Sequence, residues 1–138
     1  MIKLTFLLLI FISCHSSQKF AREHTPPLLI SATRASWTAG HMSGGRGVDF
    51  TFQLLHTPDS GFQWKYFLSA DRKLELTVAE QSGDTLWLNA YWLSNTDKDF
   101  KTERIPDFST GILHYNYLNI NRHLPVTHIE KIQAPFRP

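Results

Sequence analysis

His41 and Met42 stand side by side in a glycine-rich stretch. Imidazole nitrogen beside thioether sulfur is a ligand pair suited to copper. His114, His123 and His128 follow near the other end of the chain. His114 and His123 would approach one another across a chain reversal of suitable register. His123 and His128 are five apart, so an ideal strand sends them to opposite faces. Surface or hydrogen-bonded histidines are the simpler account of all four, and His41 and Met42 are carried forward as weak metal candidates.

Other spacings suggest other chemistry and fail on context. Residues 40–47 are glycine-rich, but they lack Gly-Lys-Ser/Thr and precede an alternating segment instead of a helix, so no helix N-terminus is available to hold a phosphate. Glycines at a hairpin or bulge explain them. Arg46 in that stretch is a candidate anion ligand, or a cation placed to close on the Trp37 ring. Gly40-His41-Met42-Ser43-Gly44 does not keep the Gly-x-Ser-x-Gly spacing of a hydrolase nucleophile, and no strand-to-helix elbow surrounds it. Asp97-x-Asp99 begins like a calcium loop, yet Thr102 occupies the position that needs glycine.

The aromatic residues offer a further chemistry, stacking on sugar rings or peptide. Trp64 and Trp92 fall on apolar stripes and are expected in the core. Trp87 and Tyr91 fall on the opposite face of their segment and are expected to be more exposed. An uncovered pair there would be a binding surface. Trp37, Arg46, Trp87 and Tyr91 are therefore the candidate binding residues.

The elements that must position these groups have period two. Val48, Phe50, Phe52 and Leu54 share one face, with Asp49, Thr51 and Gln53 on the other. The same alternation places Phe62, Trp64, Tyr66 and Leu68 on one face of the next segment, and Leu74, Leu76 and Val78 on one face of the one after. Side chains of a strand leave alternate sides of the pleat, so this is the signature of half-buried strands. Residues 86–93 are apolar on both faces except at Asn89, as an internal strand would be. Pro58-Asp59-Ser60-Gly61 and Ser82-Gly83-Asp84 have turn chemistry, and Asn121-Arg122 is a candidate reversal. Pro125 removes a ladder donor and so belongs on an edge or at a bulge. About seven strands result, at 28–37, 46–56, 62–69, 72–80, 85–94, 111–120 and 123–132. Residues 95–110 read as a crossover between sheets, or as a functional loop, since so long an irregular stretch is unusual in a compact domain. The expected fold is all-β, an antiparallel β-sandwich of Ig-like or related type, with a small β-barrel as the alternative.

The N-terminus has a different pattern. Lys3 precedes a run at residues 4–12 that is apolar except for Thr5, and polarity rises abruptly at His15. About 20 apolar residues are needed to span a bilayer, so this run is too short for that and has the length of an export signal. Bacterial lipoprotein signals end in Leu, a small or aliphatic residue, a small residue and the lipidated cysteine. Ile12, Ser13 and Cys14 match that ending, while Phe11 stands where Leu is usual. Ordinary cleavage after Ser16 is the alternative, and it would discard the cysteine. Cys14 is the single cysteine of the chain and has no partner for an internal disulfide. No aspartate follows it, which by the enterobacterial sorting rule favours the outer membrane. The expected organisation is a signal peptide at 1–13, lipidated Cys14 and a polar tether at 14–27, and one β domain at 28–138.

Composition narrows the partners. The 138 residues carry 14 Lys and Arg against 12 Asp and Glu, so the chain lacks the strong basic bias of a nucleic-acid binder. One domain of this size folds without disulfides.

Trp37, Gly40 and Gly45-Arg46-Gly47, leading into the alternating strand, resemble a pattern in short envelope lipoproteins of the Bacteroidota type, which have no established activity. There an early tryptophan is followed by a glycine-rich turn and Gly-Arg-Gly. Ser31 and Ser36 lie where those proteins carry a serine ahead of the tryptophan. Gly83-Asp84-Thr85-Leu86 and the terminal hairpin are also similar. The resemblance implies an exported β protein and carries over no catalytic residues.

Together these features lead to the expectation of a non-enzymatic, lipid-anchored envelope protein facing the periplasm, without a cofactor. It would act as a structural or protein-interaction module. A carbohydrate- or peptidoglycan-binding module and a periplasmic copper binder are the alternatives. Its expected partners are the membrane, reached through the lipid, and an envelope protein or glycan.

Overall fold

The structure, a computed structural model, describes residues 25–38, 45–57, 59, 61–94 and 104–134. Cys14, His41 and Met42, the signal and most of the tether, and the Asp97-x-Asp99 stretch lie outside them. Among the described residues nine strands form, in chain order β1 Leu28–Thr38, β2 Arg46–Leu55, β3 Phe62–Ser69, β4 Arg72–Glu75, β5 Thr77–Ser82, β6 Thr85–Leu93, β7 Gly111–Tyr117, β8 Ile120–Val126 and β9 Glu130–Ile132. They make a five-stranded sheet in the order β5-β6-β2-β1-β9 and a four-stranded sheet in the order β4-β3-β7-β8. All pairings are antiparallel except that of β1 with β9. The two sheets pack as a β-sandwich and do not close into a barrel.

Alternation dictates the core. Val48, Phe50, Phe52 and Leu54 of β2, with Leu86, Leu88, Ala90 and Trp92 of β6, are all buried on the inner face of the five-stranded sheet. Each large side chain so placed contributes about 1.5–3 kcal/mol of transfer free energy. Phe67 of β3 meets this layer from the other sheet, its ring 5.2 Å from Phe50 and 4.8 Å from Phe52. Phe108, just before β7, closes edge-on over Phe50 at 5.1 Å. Residues 104–110 therefore end a crossover from one sheet to the other and contribute a core side chain to it.

The structure corrects several expectations, each for a local reason. A register shift between Trp64 and Tyr66 in the β3–β7 ladder changes the face of the strand. Phe62 and Trp64 point inward as expected, but beyond the bulge Phe67 is inward and fully buried while Tyr66 and Leu68 face out. The segment 72–80 is two strands. Arg72–Glu75 pairs with β3, Thr77–Ser82 pairs with β6, and buried Leu76 forms the corner where the chain changes sheets. The last segment is likewise divided, with buried Ile129 between β8 and β9 and its amide donating to the Ser109 carbonyl at 3.0 Å. The reversal before β8 falls at Leu118-Asn119, both left-handed, instead of at Asn121-Arg122. Pro125 is on an edge strand as expected, because β8 ends the four-stranded sheet.

Candidate functional site

The outer face of the five-stranded sheet is built by strand register. Reading across β1, β2 and β6, three successive same-face rows are Trp37–Gly47–Leu93, Ala35–Asp49–Tyr91 and Thr33–Thr51–Asn89. Thr77 of β5 extends the third row beyond Asn89, and Ile132 of β9 lies beside Ala35. These residues, Gly47 apart, line a groove of about 580 Å³, within the size range of small-ligand sites.

Its walls are apolar and its floor is polar. Trp37 is half-buried and its Nε1 donates to Asp49 Oδ1 at 3.3 Å, which fixes the indole over β2. Tyr91 on β6 is 60 % exposed and Leu93 beside it 54 %. Thr51 Oγ1 donates to Asn89 Oδ1 at 3.5 Å, and Thr77 Oγ1 donates to the Asn89 carbonyl at 3.4 Å. The first of these bonds turns the carboxamide so that its NH₂ end remains for a ligand acceptor. Among the lining residues Asp49 is the single charge, and none is Lys or Arg.

This arrangement suits a neutral molecule with flat apolar faces and many hydroxyls. The aromatic rings stack on the faces, while hydroxyl, amide and carboxylate groups satisfy the edges.

Of the residues singled out from sequence, Trp37 and Tyr91 are brought together in this groove. Trp87 shares the outer face but pairs with Gln53 and Glu80, four residues from Tyr91. That is about 13 Å along the strand, so it does not line the groove. Arg46 does not join them. Trp37 pairs with Gly47 and Arg46 with Thr38, so Arg46 has the parity of Val48 and takes the inner face. A stacking contact between Arg46 and the Trp37 ring is thereby lost.

Asp49, Thr51, Thr77 and Asn89 were missed as site residues. The signal was present as polar positions alternating with the β2 stripe and as the lone polar residue of β6, but nothing in the sequence joined them.

A second hollow of about 400 Å³ lies against Phe62, Trp64, Leu86 and His56. The Phe62 ring stacks on Tyr115 at 4.6 Å, and the Tyr117 hydroxyl donates to Asp59 Oδ2 at 3.0 Å. These contacts tie the β2–β3 connection to β7. No group of three or more metal-ligating His, Cys, Asp or Glu side chains occurs among the described residues. Compared with protein-family models, curated protein sequences and solved structures, the chain finds no match.

Proposed function

We propose that this protein is a lipid-anchored binding module of the bacterial cell envelope that holds a neutral glycan on the outer face of its five-stranded sheet. The observation that carries this is that Trp37 and Tyr91 line one groove together with Asp49, Thr51 and Asn89, and that no Lys or Arg is in its lining. A protein-interaction module on the same face is the second reading, favoured by the exposure of Leu93 and of Ile132, which is 43 % exposed, beside the groove.

What supports binding over hydrolysis is the charge of the lining. Glycoside hydrolysis works through a pair of carboxyl groups, and Asp49 supplies one.

Anchoring rests on the short apolar run at residues 4–12 followed by Cys14. Acyl chains on that sulfur would hold the domain through about 0.8 kcal/mol per buried CH₂. Trp37 lies nine positions along β1 from Leu28, where the tether would end. That is about 30 Å of extended strand, so the groove lies at the far end of β1 from the tether.

Tryptophan fluorescence of the acylated, detergent-solubilised protein, titrated with a panel of neutral envelope oligosaccharides, tests the proposal. A saturable change that weakens at least tenfold in Tyr91→Ala is expected, equivalent to about 1.4 kcal/mol. A folded protein that gives no saturable change with any of them would overturn the glycan assignment. Mass spectrometry of the native protein tests the anchor separately, and an unmodified Cys14 thiol would remove it.

A further inference from the structure

On the opposite side of the sandwich, the outer face of the four-stranded sheet carries a row that crosses all four strands: Glu75 on β4, Tyr66 on β3, His114 on β7 and His123 on β8. The row exists because two local devices coincide. The bulge in β3 turns Tyr66 outward, and the two-residue Leu118-Asn119 turn sets β7 and β8 in a register that places His114 directly opposite His123.

We infer that His114 and His123 form a two-histidine site for a borderline divalent transition-metal ion, Cu(II) above the others. The imidazole centroids are 5.9 Å apart. Two imidazoles sharing one ion through metal–nitrogen bonds of about 2 Å place their ring centres about 5–6 Å apart. Directly opposed residues of an antiparallel pair have the Cβ separation that allows it.

Three features prepare the pair for an ion. Tyr66 stacks on His114 with centroids 4.4 Å apart and planes 19° from parallel, which fixes one imidazole while exposed His123 is left to adjust. His114 Nε2 is buried and has no hydrogen-bond partner among the described residues, and the same holds for Asn116 Oδ1, the next same-face residue toward the turn. A buried nitrogen without a partner is costly unless something satisfies it. A metal ion on Nε2 does so.

Lys73 Nζ lies 4.1 Å over the centre of the Tyr66 ring.

Imidazole donors without thiolate suit Cu(II), Ni(II) or Zn(II), and the ordering of divalent affinities puts Cu(II) first. Solvent fills the remaining coordination positions. The pair lies on the other sheet from the groove, so either site can fail without the other.

Calorimetric titration of Cu(II) into the full-length protein tests the inference, with electron paramagnetic resonance of the loaded sample. The wild type is expected to take up one more Cu(II) equivalent than His123→Ala, or to bind at least tenfold tighter. The lost component should carry hyperfine structure from two imidazole nitrogens. His128→Ala should match the wild type. His123 is exposed, so its substitution leaves folding intact, and His123→Gln serves as a second variant. Copper uptake identical in wild type, His123→Ala and His123→Gln would overturn the site, as would a signal lacking two-nitrogen structure.

Discussion

The Trp37 indole occupies the space that a side chain at residue 47 would need. A Cβ on Gly47 would lie 2.7 Å from Cζ2 and 2.8 Å from Cε2 of that ring, and 2.6 Å from the Trp92 carbonyl oxygen. The glycine is required here by close approach, since its backbone is not left-handed. One wall of the groove thus depends on the absence of a methyl group on the neighbouring strand.

Gly47→Ala is therefore expected to push the indole off β2 and strain the β2–β6 ladder. Overpacking of this kind costs about 1–3 kcal/mol. The urea midpoint should fall by a corresponding amount, and ligand affinity at the groove should fall with it. An unchanged midpoint would mean that the indole does not rest there.

The bulge in β3 makes an opposite pair of predictions for adjacent residues. Phe67 is fully buried between Phe50 and Phe52, and Phe67→Ala should cost about 3–5 kcal/mol. Tyr66 lies on the outer face, and Tyr66→Ala should cost under about 1.5 kcal/mol, the scale of its stacking contact with His114. Unbroken alternation from Phe62 would rank the two the other way, so denaturant unfolding of both variants decides between the registers.

Ala70 and Asp71 close the β3–β4 hairpin with φ of 49° and 59°. L-residues pay about 1–2 kcal/mol for each such conformation, and Asn-Gly is the pair that a two-residue turn of this type prefers. Ala70→Asn with Asp71→Gly should raise stability by about 1 kcal/mol, read as a higher melting temperature with no change in copper or glycan binding.

Stability should also fall in mild acid. The folded state holds the His114 pKa below 6.5, chiefly through burial and then through the charges of His123 and Lys73. The unfolded chain therefore binds the proton first, and stability rises with pH wherever the unfolded state carries more protons. The contribution is complete above about pH 6.5 and is lost as pH drops through the folded value. His114→Gln should flatten this part of the stability–pH curve, measured by denaturant unfolding from pH 8 to pH 5. An equally steep curve in the variant would place the titration elsewhere.

Period-two alternation made most strands and their inner faces legible in the sequence. The stripe at Val48, Phe50, Phe52 and Leu54 was unambiguous because any other conformation would scatter those side chains around the backbone. Tyr91 was legible as an outward residue for the same reason, and Pro125 as an edge residue because it lacks an N–H to donate. The bulge beside Lys65 was not legible, since an inserted residue changes parity without changing composition. Nor were the sheet changes at Leu76 and at residues 127–129, where a buried leucine or isoleucine looks the same whether a strand continues or turns a corner.

From the sequence alone followed the all-β fold, with a sandwich expected and a barrel as the alternative, the two faces of most strands, and the short apolar run before Cys14 on which anchoring is proposed. Tertiary structure alone decided that Trp37, Asp49, Thr51, Asn89 and Tyr91 meet in one groove, and that His114 stands opposite His123. The physical reason is that alternation sets which side of its own strand a residue leaves, a matter of backbone geometry over two residues. Which residues become neighbours across strands is set by register, and register is chosen by bulges, turn conformations and core packing summed over the whole sheet.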